Sequence, residues 1–180
     1  MPLYFWFITI HILSLVVGMG AVIVIDTFGT LWLFKKVSLR YVMSVADVTQ
    51  RLIWVGWSGL VVSGTGLLVL KGFIDNLTWM KLFFVALVGA NGVLMHVVKK
   101  SLEALPNETV PARLRFRIAL TSVISQVGWW SAITIGLLHN EWQSYIGWPS
   151  NPELYMASIL ALILVIAGIG EIAFRRASRS

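Results

Sequence analysis

Few side chains in this sequence are able to do chemistry, and most of them lie within or at the edges of long apolar runs. His11, Asp26, His96, His139 and Glu171 are ionisable, and Asn91 and Gln126 are their uncharged polar companions. Ionisable groups inside a hydrocarbon layer are costly to keep and often mark function. The chain has no Cys, which excludes disulfides, thiolate metal sites and cysteine nucleophiles. Soluble-enzyme signatures are absent as well. Gly64-Thr65-Gly66 sits in the middle of an apolar run rather than between a strand and a helix, and no paired-histidine zinc helix occurs.

Position along the runs divides these residues into two sets. At a helical rise of 1.5 Å per residue, His11 lies about 12 Å from the start of its run. His139 falls at the same end of the molecule, while Asp26, His96 and Glu171 fall near the opposite boundary. Haem is one chemistry the histidines suggest, since two imidazoles from different helices can grip one iron from opposite faces. The pairs are poorly matched in depth, however: His11 and His96 differ by roughly 14 Å, and His11 and His139 by about 12 Å. A haem held by His11 alone, with another second ligand or none, fits better. The plainer role for His11 is an interhelical hydrogen bond, and for His139 an interfacial residue reaching toward water. The second set suggests another chemistry. Asp26, His96 and Glu171, from three helices at one depth, could hold a divalent cation or relay protons. The plainer role of Asp26 and Glu171 is pairing at headgroup level with cations such as Lys35 or Arg175.

The elements that must position these groups follow from composition. Of the 180 residues, 58% are hydrophobic and only 12% charged, half the charge of an ordinary soluble domain. Too little polar surface remains to coat a water-soluble globule, which leaves an integral membrane protein. Five runs approach the roughly 20 apolar residues needed to cross a bilayer: about 3–25, 52–70, 79–98, 118–138 and 154–174. A further apolar patch spans Leu31 to Phe34. None of the runs alternates as barrel strands do, so the expected fold is all-α: a single membrane domain over 1–180, built as a five-helix bundle. No Lys or Arg precedes Lys35, so the first run reads as a retained span rather than a signal peptide. Twelve of the fourteen Lys and Arg residues fall in the loops after spans one and three or in the C-terminal tail. With five spans these segments share one side, placing the N-terminus outside and the C-terminus inside. The net charge of +6 is then a topology signal, helped by anionic headgroups, not a nucleic-acid footprint. Asn107-Glu108-Thr109 fits a glycosylation pattern but falls in an inside loop. Trp142, Tyr145 and Trp148 read as an interfacial belt.

Small residues let membrane helices approach. One stripe holds His11, Ser14 and Gly18, a second Gly56, Gly59, Ser63 and Gly66, and a third Gly89, Gly92 and His96. All three are expected to face neighbouring helices. Besides lipid, the partners this allows are a second copy or a membrane complex.

Span one, with Trp6, His11-Ile12-Leu13, Gly18 and Gly20, resembles the first helix of the membrane protoporphyrinogen oxidase family of the HemJ type. Gly64 to Leu70, a short loop and Trp79-Met80-Lys81-Leu82 are similar to the second and third helices of that family and of the related CopD family. The region from Asn91-Gly92 through His96 is similar to bacterial membrane proteins of the same span pattern. The resemblance covers roughly the first hundred residues. It implies a small multi-pass protein of the bacterial cytoplasmic membrane, haem b on His11, and Lys81 lining the same site; His139, from its position alone, is a further cofactor-binding candidate. It is carried to fold and cofactor, not to the oxidase reaction. Three functions therefore stand as expectations: a haem b redox protein; a proton or cation transporter using Asp26, His96 and Glu171; and a non-catalytic assembly subunit.

Overall fold

The computed structural model describes the backbone over residues 2–105, 109–145 and 149–177, and the side chains of these except at 140–145 and 177. The side chains of Trp142 and Tyr145 and the whole of Trp148 from the expected aromatic belt, and Asn107 and Glu108 of the glycosylation pattern, fall outside that description. The fold is all-α, with five helices: α1 (Pro2–Leu33), α2 (Leu39–Lys71), α3 (Asn76–Glu103), α4 (Ala112–Tyr145) and α5 (Pro152–Ala177). Each is long and apolar enough to cross a membrane, and no strand occurs among the described residues. Large apolar side chains such as Leu13, Val16, Val69 and Leu164 are exposed along the helices. Such surface needs lipid rather than water, and the chain is a multi-pass membrane protein.

The helices are longer than the apolar runs that announce them. α2 starts at Leu39 rather than near Leu52, because its first three turns (Arg40, Ser44, Asp47, Thr49, Arg51) are helical but too polar for hydrocarbon. Hydropathy reports the part of a helix that meets lipid, not the helix. Local chemistry sets the true ends. α1 closes with Lys36 N–H donating to Leu31 O at 2.9 Å and Lys35 N–H to Trp32 O at 2.8 Å, the paired bonds of a Schellman motif. This places Lys35 at φ 58°, a left-handed position where a Cβ is strained. Ser38 then caps α2, its hydroxyl accepting from Tyr41 N–H at 3.2 Å. α2 ends on Gly72 at φ 77°, whose N–H donates to Leu68 O, and Asp75 caps α3 by accepting from Thr78 N–H at 2.8 Å.

The chain divides into two compact units, Met1–Ile74 and Asp75–Ser180. The first is the antiparallel pair α1–α2, joined along the two predicted small-residue stripes. Moving up α1 while moving down α2, Phe7 faces Gly66, His11 faces Ser63 and Gly64, Ser14 faces Gly59, and Gly18 faces Gly56. The approach is closest at Gly56, where a Cβ would lie 2.5 Å from the Gly18 backbone and 2.7 Å from Ser14 O. Only glycine permits two backbones this near, the usual way membrane helices gain packing without a hydrophobic driving force. Phe28 and Tyr41 meet edge-on, with centroids 5.4 Å apart, toward the other end of the pair.

In the second unit α3 and α4 are antiparallel neighbours and α5 lies against both. Leu77, Met80, Phe84 and Ile135 form its core, with Met156 and Ile159 of α5 packed on it. Gly128 admits the Val88 side chain, which a Cβ would approach to 2.6 Å. At the far end of α5, Gly170 makes room for the Phe116 ring, which also meets Phe174 at 5.6 Å between centroids.

Candidate functional site

His11 is half-buried on α1, and its Nδ1 lies 2.9 Å from the Ser63 Oγ of α2. Ser63 is 1% exposed, and its Oγ is also 2.5 Å from Gly59 O, one turn back. Two oxygens that close repel unless a proton lies between them, so the serine hydroxyl donates to Gly59 O. Its one proton being used, Ser63 can only accept from the ring. The neutral imidazole is therefore the Nδ1–H tautomer, with its lone pair on Nε2. In an imidazole Nδ1 is the nitrogen nearer the Cβ and Nε2 the one farther from it. Gly64 borders the ring, where an added Cβ would lie 3.4 Å from Cε1. A hydrogen-bonded second partner that fixes tautomer and ring angle is what a metal-ligating histidine characteristically has. The donor set suits one axial imidazole. His96 and His139 belong to the other unit, so a pair of histidines is not found within α1–α2.

His139 on α4 is held the other way round. Its Nε2 lies 3.1 Å from Asp75 Oδ2, while Oδ1 of the same carboxylate caps α3. A carboxylate accepts, so Nε2 carries the proton, and in the neutral ring the lone pair falls on Nδ1. The pair clasps the end of α4 to the start of α3. Asn76 adds to this end by donating from Nδ2 to Pro149 O at 2.8 Å. Lys81 lies nearby, its Nζ over Gly136, where a Cβ would be 3.1 Å away. Lys81 and His139, two of the expected cofactor-binding residues, thus line one end of the second unit with Asp75, and His11 belongs to the first.

Of the expected trio, Asp26 belongs to the first unit and His96 and Glu171 to the second; among the described residues no group of three or more His, Cys, Asp or Glu is placed to hold a metal ion. Glu171 is engaged by two guanidiniums of α4. Oε2 accepts from Arg113 Nε at 2.6 Å and from its Nη2, and Oε1 accepts from Arg117 Nε at 2.5 Å. Its plainer role, charge pairing, is the one observed, with Arg113 and Arg117 as partners in place of the Arg175 or Lys35 expected. Asp26 is half-buried on α1, with its carbonyl accepting from Thr30 Oγ1 at 2.8 Å, and His96 is exposed on α3.

Of the uncharged companions, Asn91 ties α3 to α4, and the bond of Gln126 lies within α4. Asn91 is 4% exposed and donates from Nδ2 to Thr121 O at 2.8 Å. Its Oδ1, like Nε1 of the buried Trp129, has no hydrogen-bond partner among the described residues. Gln126 accepts from Trp130 Nε1 at 2.9 Å, one turn along α4.

Sequence reasoning misses Ser63, Asp75, Arg113 and Arg117 as partners. Ser63 reads there as a small residue of a packing stripe, and the arginines as topology signals. Asp75 does carry a signal: a carboxylate three residues before Thr78 at a helix start is a capping position. No protein-family model matches the chain, and neither a curated protein nor a solved structure gives a significant match.

Proposed function

We propose that the chain is a haem b-associated redox protein of the bacterial cytoplasmic membrane, with His11 as the axial ligand, its N-terminus outside and its C-terminus inside. The hydrogen-bonded chain from His11 Nδ1–H through Ser63 Oγ to Gly59 O carries this reading, because it leaves the lone pair on Nε2, the ring nitrogen farther from the Cβ. Haem, when bound, supplies one-electron chemistry. His11 Nε2 would hold the iron. Ser63 keeps the ring from turning, and its acceptance of the Nδ1–H hydrogen bond makes Nε2 the better donor. Gly64 borders the ring at Cε1 without a side chain of its own. The positive-inside distribution supports the orientation. The transport reading is not carried further, since Glu171 is committed to Arg113 and Arg117.

A visible absorption spectrum of protein purified from cells well supplied with haem tests the reading. A Soret band that copurifies with the chain at near-equal stoichiometry is expected. A colourless protein under those conditions contradicts it and leaves His11 as an interhelical hydrogen bond alone.

A further inference from the structure

We propose that Arg113 and Arg117, held by Glu171, form a binding site for the phosphate of an anionic phospholipid. The two arginines stand one turn apart on the same face of α4, and Glu171 reaches them from α5. Each guanidinium has five N–H donors. Arg113 gives Nε and one Nη2 hydrogen to the carboxylate, and Arg117 gives only Nε. That leaves three N–H donors of Arg113 and four of Arg117 that Glu171 does not use. Both arginine side chains are 41% exposed, against 25% for the glutamate, so the donors reach the surface while the acceptor lies behind them. Planar forks presented this way match phosphate oxygens better than lysine does.

The charges also leave an anion to be supplied. Two cations meet one carboxylate, and Arg115 adds a third within the first turns of α4, where the helix dipole already disfavours positive charge. Arginines there gain nothing for the helix itself. The flanks distinguish a lipid from free phosphate. Directly below the charges the Phe116 and Phe174 rings meet over Gly170, and Ile169 and Ile172 beside Glu171 are 64% and 54% exposed. A phosphate on the forks would place its acyl chains along this apolar face of α5. The choice of an anionic lipid rests on the orientation proposed above, which puts this end at the cytoplasmic leaflet.

Thermal unfolding of the full chain in a neutral detergent, titrated with phosphatidylglycerol, phosphatidylcholine or inorganic phosphate, tests the site. Phosphatidylglycerol is expected to raise the unfolding temperature at a concentration at least about tenfold lower than phosphatidylcholine, and inorganic phosphate to give no comparable shift. Arg117→Gln should abolish most of that preference, whereas the charge-matched Arg115→Gln should keep it. Glu171→Gln removes the internal anion, so its dependence on phosphatidylglycerol should exceed that of the wild type. The proposal is overturned if the two lipids act alike, if inorganic phosphate reproduces the effect, if Arg117→Gln and Arg115→Gln lose the preference equally, or if Glu171→Gln shows no larger shift. In detergent none of this depends on topology. The orientation is tested separately by labelling Ser101→Cys, a lone thiol in a chain without cysteine, from one side of intact cells.

Discussion

His11 and His139 are both imidazoles on membrane-length helices, each tied to a neighbouring helix, and they are held in opposite tautomers. Ser63 accepts from His11 Nδ1–H and turns the lone pair to Nε2. Asp75 accepts from His139 Nε2–H and, in the neutral ring, leaves the lone pair on Nδ1. One partner is a neutral hydroxyl whose own proton is already used; the other is a carboxylate that also caps a helix. The difference teaches that a histidine in a span is not by itself a ligand. The partner of the ring determines whether Nε2 carries the lone pair a metal needs or a proton used in a clasp.

The largest effect should separate the two rings outright. His11→Ala is expected to remove haem absorbance entirely, while His139→Ala keeps it. Ser63→Ala should leave the imidazole but not its orientation, weakening haem retention by about 10–100-fold, measured as the rate of haem transfer to an acceptor protein. The framework behind His11 is next. Gly56→Ala drives a Cβ into the Gly18 backbone and should cost about 1–3 kcal/mol of stability, as overpacking does, seen as a lowered unfolding temperature. On the other side of the comparison, Asp75→Ala removes the α3 cap and the His139 partner together. A loss of about 1–2 kcal/mol is expected, with the haem spectrum unchanged. Gly20→Ala, where nothing lies within 4 Å, should be neutral or gain up to about 1 kcal/mol from helix propensity.

Much of the fold could be read from the sequence, because lipid exposure and glycine spacing are local signals. The five spans follow from hydropathy. The facing of His11, Ser14 and Gly18 onto Gly56, Gly59 and Ser63 follows from small residues recurring every third or fourth position on both helices. The polar turns of α2 before Leu52 were not legible, since they are helical without being apolar. Site chemistry was harder to see for a related reason. A hydrogen bond depends on which residue of one stripe meets which residue of the other, a register that spacing within either helix does not contain. Ser63 therefore reads as small rather than as an acceptor. Arg113 and Arg117 read as topology signals because nothing in one chain segment shows that Glu171, more than fifty residues on, will lie between them.

The most direct test is the visible spectrum of His11→Ala set beside His139→Ala, both purified from haem-supplied cells together with the wild type. A Soret band present in the wild type and His139→Ala and absent in His11→Ala is the predicted result. Equal bands in all three, or loss in His139→Ala alone, would contradict the assignment of His11 as the haem ligand.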